Sequence, residues 1–349
     1  MSNQLPILAV TAGDPAGIGP EITVMTVTDP AMRAKARAVV YGDPAILARA
    51  AAVSGRQPTI NPITDPRQAG DDPSVIDVID IGLIPDAEQI AFGQVQALAG
   101  RAAVTAIETA VADAVARRID GVVTSPINKE AIWASGSQFL GHTELIQDLT
   151  HAAATDTMFV VGNLCVFFAT RHMSLAEAVA AIKAPLIEAC LDRALVALEV
   201  FGYPQPRLAV AALNPHGGEG GHFGREEIDQ IAPAIAKVNA TIPAGRPAIA
   251  GPIPADSVFH LGLQGQFDGI LSLYHDQGHI ATKTFDFDAT VSVTTGLPIL
   301  RTSVDHGTAF DIAGTGQASP ATMNSAFLAG ARFTTCNERI RQQYGRTQP

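Results

Sequence analysis

Charge and aromatic rings are scarce in this chain. Asp, Glu, Lys and Arg make up 16% of its 349 residues and aromatic residues 5%, so a core must be built from Ala, Val, Ile and Leu. That palette suits parallel strands covered on both faces by helices and argues against an all-β sandwich. Basic residues are the scarcer sign, 23 against 34 acidic, for a formal net charge of −11. A nucleic-acid binder needs a basic face to displace counterions from phosphates, which speaks against that class, and an anionic ligand must be met by locally gathered cations. Cysteine is scarce as well. Cys165, Cys190 and Cys336 are odd in number and widely spaced, which gives neither a disulfide framework nor a zinc–thiolate pattern, so all three read as reduced and structural. No stretch reaches the roughly 18 uninterrupted apolar residues of a membrane span. Met1-Ser2-Asn3-Gln4-Leu5 lacks a charged region followed by an apolar stretch and a cleavage site. The cytoplasm is the expected compartment, with no membrane partner.

Aliphatic material is abundant, at 47% hydrophobic residues, and the length fits one large α/β unit or, better, two lobes. Apolar runs bounded by turn residues recur at Ile7 to Thr11, Val39 to Tyr41, Val75 to Ile81, Gly121 to Thr124, Leu208 to Leu213 and Ile270 to Tyr274. Helical patterns lie between several of them, the clearest from Val95 to Arg118, and such alternation implies βαβ units. Thr157 to Thr170 breaks the pattern: Gly162-Asn163 separates two apolar runs and can supply the positive φ angles of a tight hairpin. Further helices are expected at Leu175 to Ile182, Pro185 to Val200, Arg225 to Val238 and Ala321 to Gln343, with proline at the first-turn position of the second. Ile60 to Ser74, rich in Pro and Asp, reads as a surface excursion.

Three histidines follow apolar runs that read as strands: His172, His216 in Asn214 to Gly224, and His275 in Tyr274-His275-Asp276-Gln277-Gly278. A side chain at the carboxyl end of a strand in an α/β sheet points into the crevice where ligands bind. Neutral imidazole is the commonest ligand for zinc and similar ions, so three of them can make an open site with room for a substrate oxygen. Asn214 to Gly224 holds five glycines, which suits a backbone cradle better than a surface turn, and His216 stands nearer the strand end than His222. Asp276 beside His275 can bind or orient a ligand or take a proton, and Lys283 supplies a cation. Thr11 to Glu21 carries Gly13, Gly17 and Gly19 before a helix led by Pro20; it reads equally as a tight turn or an anion cradle. Gly141-His142-Thr143-Glu144 reads as a helix cap or as a polar grip on a substrate. Arg301 to Gly316 joins an arginine able to hold phosphate bidentately to a polar glycine-containing loop. His151 and His260 read as structural or solvated.

These segments, in this order and across nearly the whole chain, resemble the 4-hydroxythreonine-4-phosphate dehydrogenases of vitamin B6 synthesis. The motifs are Gly13 to Glu21, Gly141 to Glu144, Asn214 to Gly224, Pro252 to Asp256, Tyr274 to Gly278 and Leu297 to Gly316. A more distant likeness is to isopropylmalate and isocitrate dehydrogenases. The resemblance implies an α/β fold of two α/β/α lobes, 1–133 with 288–349 and 134–287, with an active cleft between them. It places His172, His216 and His275 on the family's metal ligands, in a site that draws on both subunits of a homodimer. It places His142, Thr143, Lys283 and Arg301 on substrate-binding positions, together with Ser292, where the family has asparagine. It lays the nicotinamide cofactor, NAD or NADP, along Asp305, His306, Gly307, Thr308, Ala309, Asp311 and Gly314.

The expected chemistry is then a divalent ion that lowers the pKa of a substrate alcohol while hydride leaves for the nicotinamide. The resulting β-keto acid loses carbon dioxide. Imidazole coordination favours zinc over magnesium, manganese or cobalt, and Asp256, Asp276 and Lys283 are the candidates for catalysis and proton handling. The leading substrate is 4-phosphooxy-L-threonine. Serine at 292 offers a hydroxyl where the family has an amide, which admits 4-phospho-D-threonate or erythronate, or a cis-dihydrodiol of an aromatic carboxylate. A phosphate acetyltransferase-like acyl transfer and a ligand-binding protein without turnover are the rivals from other classes.

Overall fold

The computed structural model describes residues 5–345, so the reading of Met1 to Gln4 lies outside the described residues. The chain divides into two compact units, residues 1–155 with 291–349, and residues 156–290. The strands of the described residues are β1 (Ile7–Thr11), β2 (Arg37–Gly42), β3 (Thr59–Pro62), β4 (Val75–Asp80), β5 (Gly121–Thr124), β6 (Asp156–Val161), β7 (Leu164–Phe168), β8 (Leu208–Ala211), β9 (Ala250–Ile253), β10 (Gly269–Ser272), β11 (Val291–Thr295) and β12 (Arg301–Ser303).

In the first unit the strand order is β3-β4-β2-β1-β5-β12-β11. Every pair is parallel except β11 with β12. Alternation along β1 sends Ile7 and Ala9 to one face, where they join Ile107 and Val111 of the helix Ala97–Val115. That helix buries Ala99, Ala102, Ala106, Ala110 and Ala114, small residues at helical spacing that let its backbone approach the sheet. Leu8 turns to the other face, where Gly330 of the helix Ala321–Phe333 abuts Leu8, Val123 and Thr302. Two helical layers around a parallel sheet are what the composition implies.

The units part at Thr155/Asp156 and Thr290/Val291, whereas the sequence reading drew the lines at 133/134 and 287/288. The reason is the helix His142–Leu149: its Leu145 and Ile146 are buried in the first unit's core beside Ile107 and Val111. His142 and Thr143 therefore belong to the same unit as Arg301.

One polar network sits inside that core. Tyr41 Oη donates to Asp113 Oδ2 at 2.5 Å, and Arg118 pairs with the same carboxylate. Burial, then Asp113, holds the Tyr41 phenol far above its ordinary pKa, so it acts as a donor. Tyr41→Phe keeps the ring and deletes a bond to a charged acceptor, at a cost of about 2 kcal/mol. A lowered urea midpoint with an unchanged m-value is the expected result; an unchanged midpoint removes the network from the account of stability.

In the second unit the order is β6-β7-β10-β8-β9. β6 and β7 form the expected hairpin, with Val161 opposite Leu164 across Gly162-Asn163 and Gly162 at φ 58°. The remaining pairs are parallel. Val166, Phe168, Ala209, Ala211 and Ile270 pack on Val258 and Phe259 of the helix Ala255–Leu263. Leu198 of the helix Ala184–Val200 covers the opposite face at Gly269.

Three expectations are corrected. The helix expected from Ala321 to Gln343 breaks at a 3₁₀ turn, Thr334–Cys336, and resumes as Asn337–Tyr344. Thr334 and Thr335 direct their hydroxyls to Ala331 O and Arg332 O, local bonding that competes with the regular ladder. The stretch from Arg225 to Val238 opens with a π turn, Glu227–Ile231, before the helix Ala232–Asn239. Within Ile60 to Ser74 runs most of β3, whose largely exposed residues and Pro62 suit an edge strand. All three cysteines are buried thiols. No helix among the described residues is long and apolar enough to cross a membrane.

Candidate active site

In the second unit, β7, β10, β8 and β9 lie side by side and parallel, so their carboxyl ends share one edge. His172 follows β7, His275 opens the helix His275–Phe285 after β10, and His216 follows β8. Asp256 stands in the first turn of the helix after β9 and is exposed. Strand order, not sequence order, sets these residues along one edge.

The His172 and His275 ring centres lie 6.0 Å apart. At that separation one ion ~2 Å from a nitrogen of each ring is within reach of both. The His275 Nδ1 and Asp276 Oδ1 are 2.6 Å apart; a donated Nδ1–H leaves Nε2 as the coordinating nitrogen, the usual carboxylate-oriented ligand arrangement. His279 stacks on His275, centres 3.6 Å apart at 12°, with its Nδ1 2.9 Å from His275 O. Lys283 lies two turns along the same helix, with its ammonium 5.3 Å from the Phe287 ring centre. His216 is exposed on a separate tract, and no group of three or more His, Cys, Asp or Glu among the described residues gathers to hold a metal ion. One chain thus brings two of the three imidazoles together. The donor chemistry fits a zinc-like ion.

In the first unit, β1, β5 and β12 are parallel neighbours. Arg301 is 4% exposed. Its Nη1 donates to Thr294 Oγ1 at 2.8 Å and its Nη2 to Thr124 Oγ1 at 3.0 Å, both neutral hydroxyls. Burial draws its pKa down to about 10 despite the attraction of Glu144, so it remains a cation at neutral pH. His142 opens the helix His142–Leu149 behind Gly141, and no side chain caps that end; the capping alternative for Thr143 is not realised. The His142 Nε2 is buried without a partner. Burial, then Arg301, holds the imidazole well below its ordinary pKa, and it is neutral. A fixed cation, a neutral ring lacking one bond and a helix start together suit an anionic oxygen.

Ser292 lies opposite Ser303, and Thr294 opposite Arg301. Directly opposed residues share a face and alternate residues share it too, so Ser292 stands one step along the strand from the hydroxyl holding Arg301. Thr124 and Thr294 were missed by the sequence reading; their only signal is a hydroxyl at a strand position otherwise filled by Val or Ile.

The glycine loop after β1 is braced rather than open. Gly13, at φ 76°, lies where a Cβ would meet Pro126 O at 2.4 Å. Ile18 N donates to Thr308 O at 3.0 Å and Gly314 N to Glu21 Oε1 at 2.8 Å, which ties the loop to the tract of Asp305, His306, Gly307, Thr308, Ala309, Asp311 and Gly314. Asp14, also missed, is fully buried; its Oδ1 accepts from Ala16 N at 2.8 Å and its Oδ2 has no partner. Burial pushes its pKa up to about 6, against the backbone amides of Ala16 and Asn128.

Residues 34–329 match the family described as "Pyridoxal phosphate biosynthetic protein PdxA". The chain belongs to the PdxA family. A Cutibacterium acnes PdxA relative named "Putative D-threonate 4-phosphate dehydrogenase" is 56% identical over 98% of this chain and 97% of its own length. The solved 4-hydroxythreonine-4-phosphate dehydrogenase of Klebsiella pneumoniae is 39% identical, with a TM-score of 0.86 over 95% of this chain and 99% of that one. A terephthalate 1,2-cis-dihydrodiol dehydrogenase from Burkholderia xenovorans is 31% identical, with a TM-score of 0.61 over 94% of this chain and 99% of that one. The PdxA likeness therefore extends through both units.

Proposed function

We propose that this protein oxidises a phosphorylated hydroxy acid and that its substrate is D-threonate 4-phosphate, in place of the 4-phosphooxy-L-threonine that led the sequence reading. The observation that carries the phosphate is Arg301, a buried cation bonded only to hydroxyls beside the unpartnered His142 Nε2. The relative at 56% identity and Ser292 in place of asparagine support the threonate over the amino acid.

In this reading Arg301, His142, Thr143, Ser292 and Lys283 hold the substrate. His172, His216 and His275 hold a divalent ion, zinc by their chemistry, with Asp276 orienting His275 and Asp256 placed for proton transfer. NAD or NADP lies along Asp305 to Gly314. When bound, the ion lowers the pKa of the substrate alcohol and the nicotinamide accepts hydride; the β-keto acid product then loses carbon dioxide. Two imidazoles gathered per chain favour a homodimer that completes the ligand set. Exposed Met173, Leu175, Phe223, Ile280 and Phe285 near the three histidines in sequence supply apolar surface for it.

The test is a panel of D-threonate 4-phosphate, D-erythronate 4-phosphate, 4-phosphooxy-L-threonine, unphosphorylated D-threonate and a cis-dihydrodiol of an aromatic carboxylate with zinc and either nicotinamide, read as reduced cofactor and released carbon dioxide. D-Threonate 4-phosphate is expected to exceed the amino acid by about a hundredfold in kcat/KM, because exchanging a neutral hydroxyl for an ammonium adds a charge that must be desolvated on binding. Inorganic phosphate should compete. Failure of every phosphorylated compound overturns the assignment, and turnover of a cis-dihydrodiol carboxylate without phosphate competition favours the diol reading.

A further inference from the structure

His216, Gly217, Gly218, Glu219 and Gly220 have φ angles of 53, 66, 80, 44 and 64°, five successive residues in the left-handed region. Two of them carry side chains, each at a cost of roughly 1–2 kcal/mol, and strain of this kind persists only where neighbouring structure imposes it. The neighbour is Glu227. It is 4% exposed and opens the π turn Glu227–Ile231, a rare local geometry that recurs at functional sites. Its Oε1 accepts from Leu213 N at 2.8 Å and Asn214 N at 2.7 Å, and its Oε2 from Asn214 Nδ2 at 2.9 Å. Asn214 O accepts from Gly217 N at 3.1 Å and Gly218 O from Phe223 N at 3.1 Å. A Cβ on Gly218 would sit 2.9 Å from Glu227 Oε2. The carboxylate thus grips the chain immediately before His216 and packs under the tract immediately after it.

We propose that Glu227 is the positioning residue of His216, locking the left-handed tract so that the imidazole is presented at the carboxyl end of β8. The consequence for metal binding rests on the proposed ligand role of His216; the positioning itself does not. An ionised carboxylate only accepts, and all three of its partners here are donors. In Glu227→Gln one bond becomes a donor–donor contact. Adding Asn214→Asp gives the new amide an acceptor, while Glu226, whose Oε2 accepts from Asn214 Nδ2 at 2.7 Å, is half-exposed and free to turn to solvent.

On the full-length protein, Glu227→Gln is expected to speed amide hydrogen exchange across residues 213–223 about tenfold while β7 and β10 are unchanged. Zinc affinity by equilibrium dialysis should fall about 10- to 100-fold, as when a ligand-orienting partner is removed. The Asn214→Asp/Glu227→Gln double variant should recover both. Unchanged exchange in Glu227→Gln overturns the proposal whatever the zinc result. Faster exchange combined with unaltered zinc binding in His216→Ala supports the positioning and overturns the metal reading instead. Should Glu227→Gln fail to fold, Asn214→Ala removes the amide's bonds to Glu227 Oε2 and Glu226 Oε2 and leaves the two at Glu227 Oε1, and unchanged exchange there is equally fatal.

Discussion

His275→Ala should lower zinc affinity by at least about a hundredfold and turnover by about a thousandfold, several kcal/mol of activation at 1.36 kcal/mol per tenfold. The expectation comes from three neighbours converging on one ring. Asp276 Oδ1 lies 2.6 Å from its Nδ1, His279 stacks on its face, and His172 stands 6.0 Å away between centres. Because the His275 side chain is 39% exposed, alanine leaves little void and the fold should survive, with an unfolding midpoint near wild type. Asp276→Asn retains the ring and disturbs only its orientation, so its effect should be about 10- to 100-fold. Bound metal is read by elemental analysis and turnover by reduced nicotinamide. A His275→Ala protein that keeps a full complement of zinc defeats the ligand assignment.

That the histidines could be singled out from sequence follows from a local rule. Leu208 to Ala211 and Gly269 to Ser272 are fully buried runs, apolar enough to be read without partners, and the polar residues after them fall at strand ends. The Gly162-Asn163 hairpin was legible for the same reason. What local rules do not carry is strand order: nothing in the sequence makes β10 the neighbour of both β7 and β8. Nor do they join Thr124 to Arg301 across 177 positions. The first line between the units falls later than local patterns suggest because Leu145 and Ile146 are buried by residues far away in the chain. The left-handed tract at His216 was anticipated as a glycine cradle, but its clamp, Glu227, looks in sequence like any helical acid.

Arg301→Met is expected to raise the urea midpoint and to lower kcat/KM by about a thousandfold, the scale expected when a buried site gives up its bidentate grip on phosphate. A guanidinium whose pKa burial draws down from its ordinary value to about 10 is penalised as a cation by about 3 kcal/mol, at 1.36 kcal/mol per unit. The sign is that of a base with a lowered folded pKa: the penalty is complete at neutral pH and is relieved only as pH rises through 10. Methionine removes it and leaves the Thr124 and Thr294 hydroxyls without their donor, at a cost of about 1–2 kcal/mol, so the net gain is about 1–2 kcal/mol. Arg301→Lys keeps a buried charge but not the fork that matches phosphate, and should weaken binding without gaining stability. Inorganic phosphate at a hundred times its Kd should stabilise the wild type by about 2.7 kcal/mol and leave Arg301→Met unmoved. A methionine variant that is less stable than wild type and still stabilised by phosphate places the anion elsewhere, because a cation buried among hydroxyls is tolerable only if a ligand completes its charge.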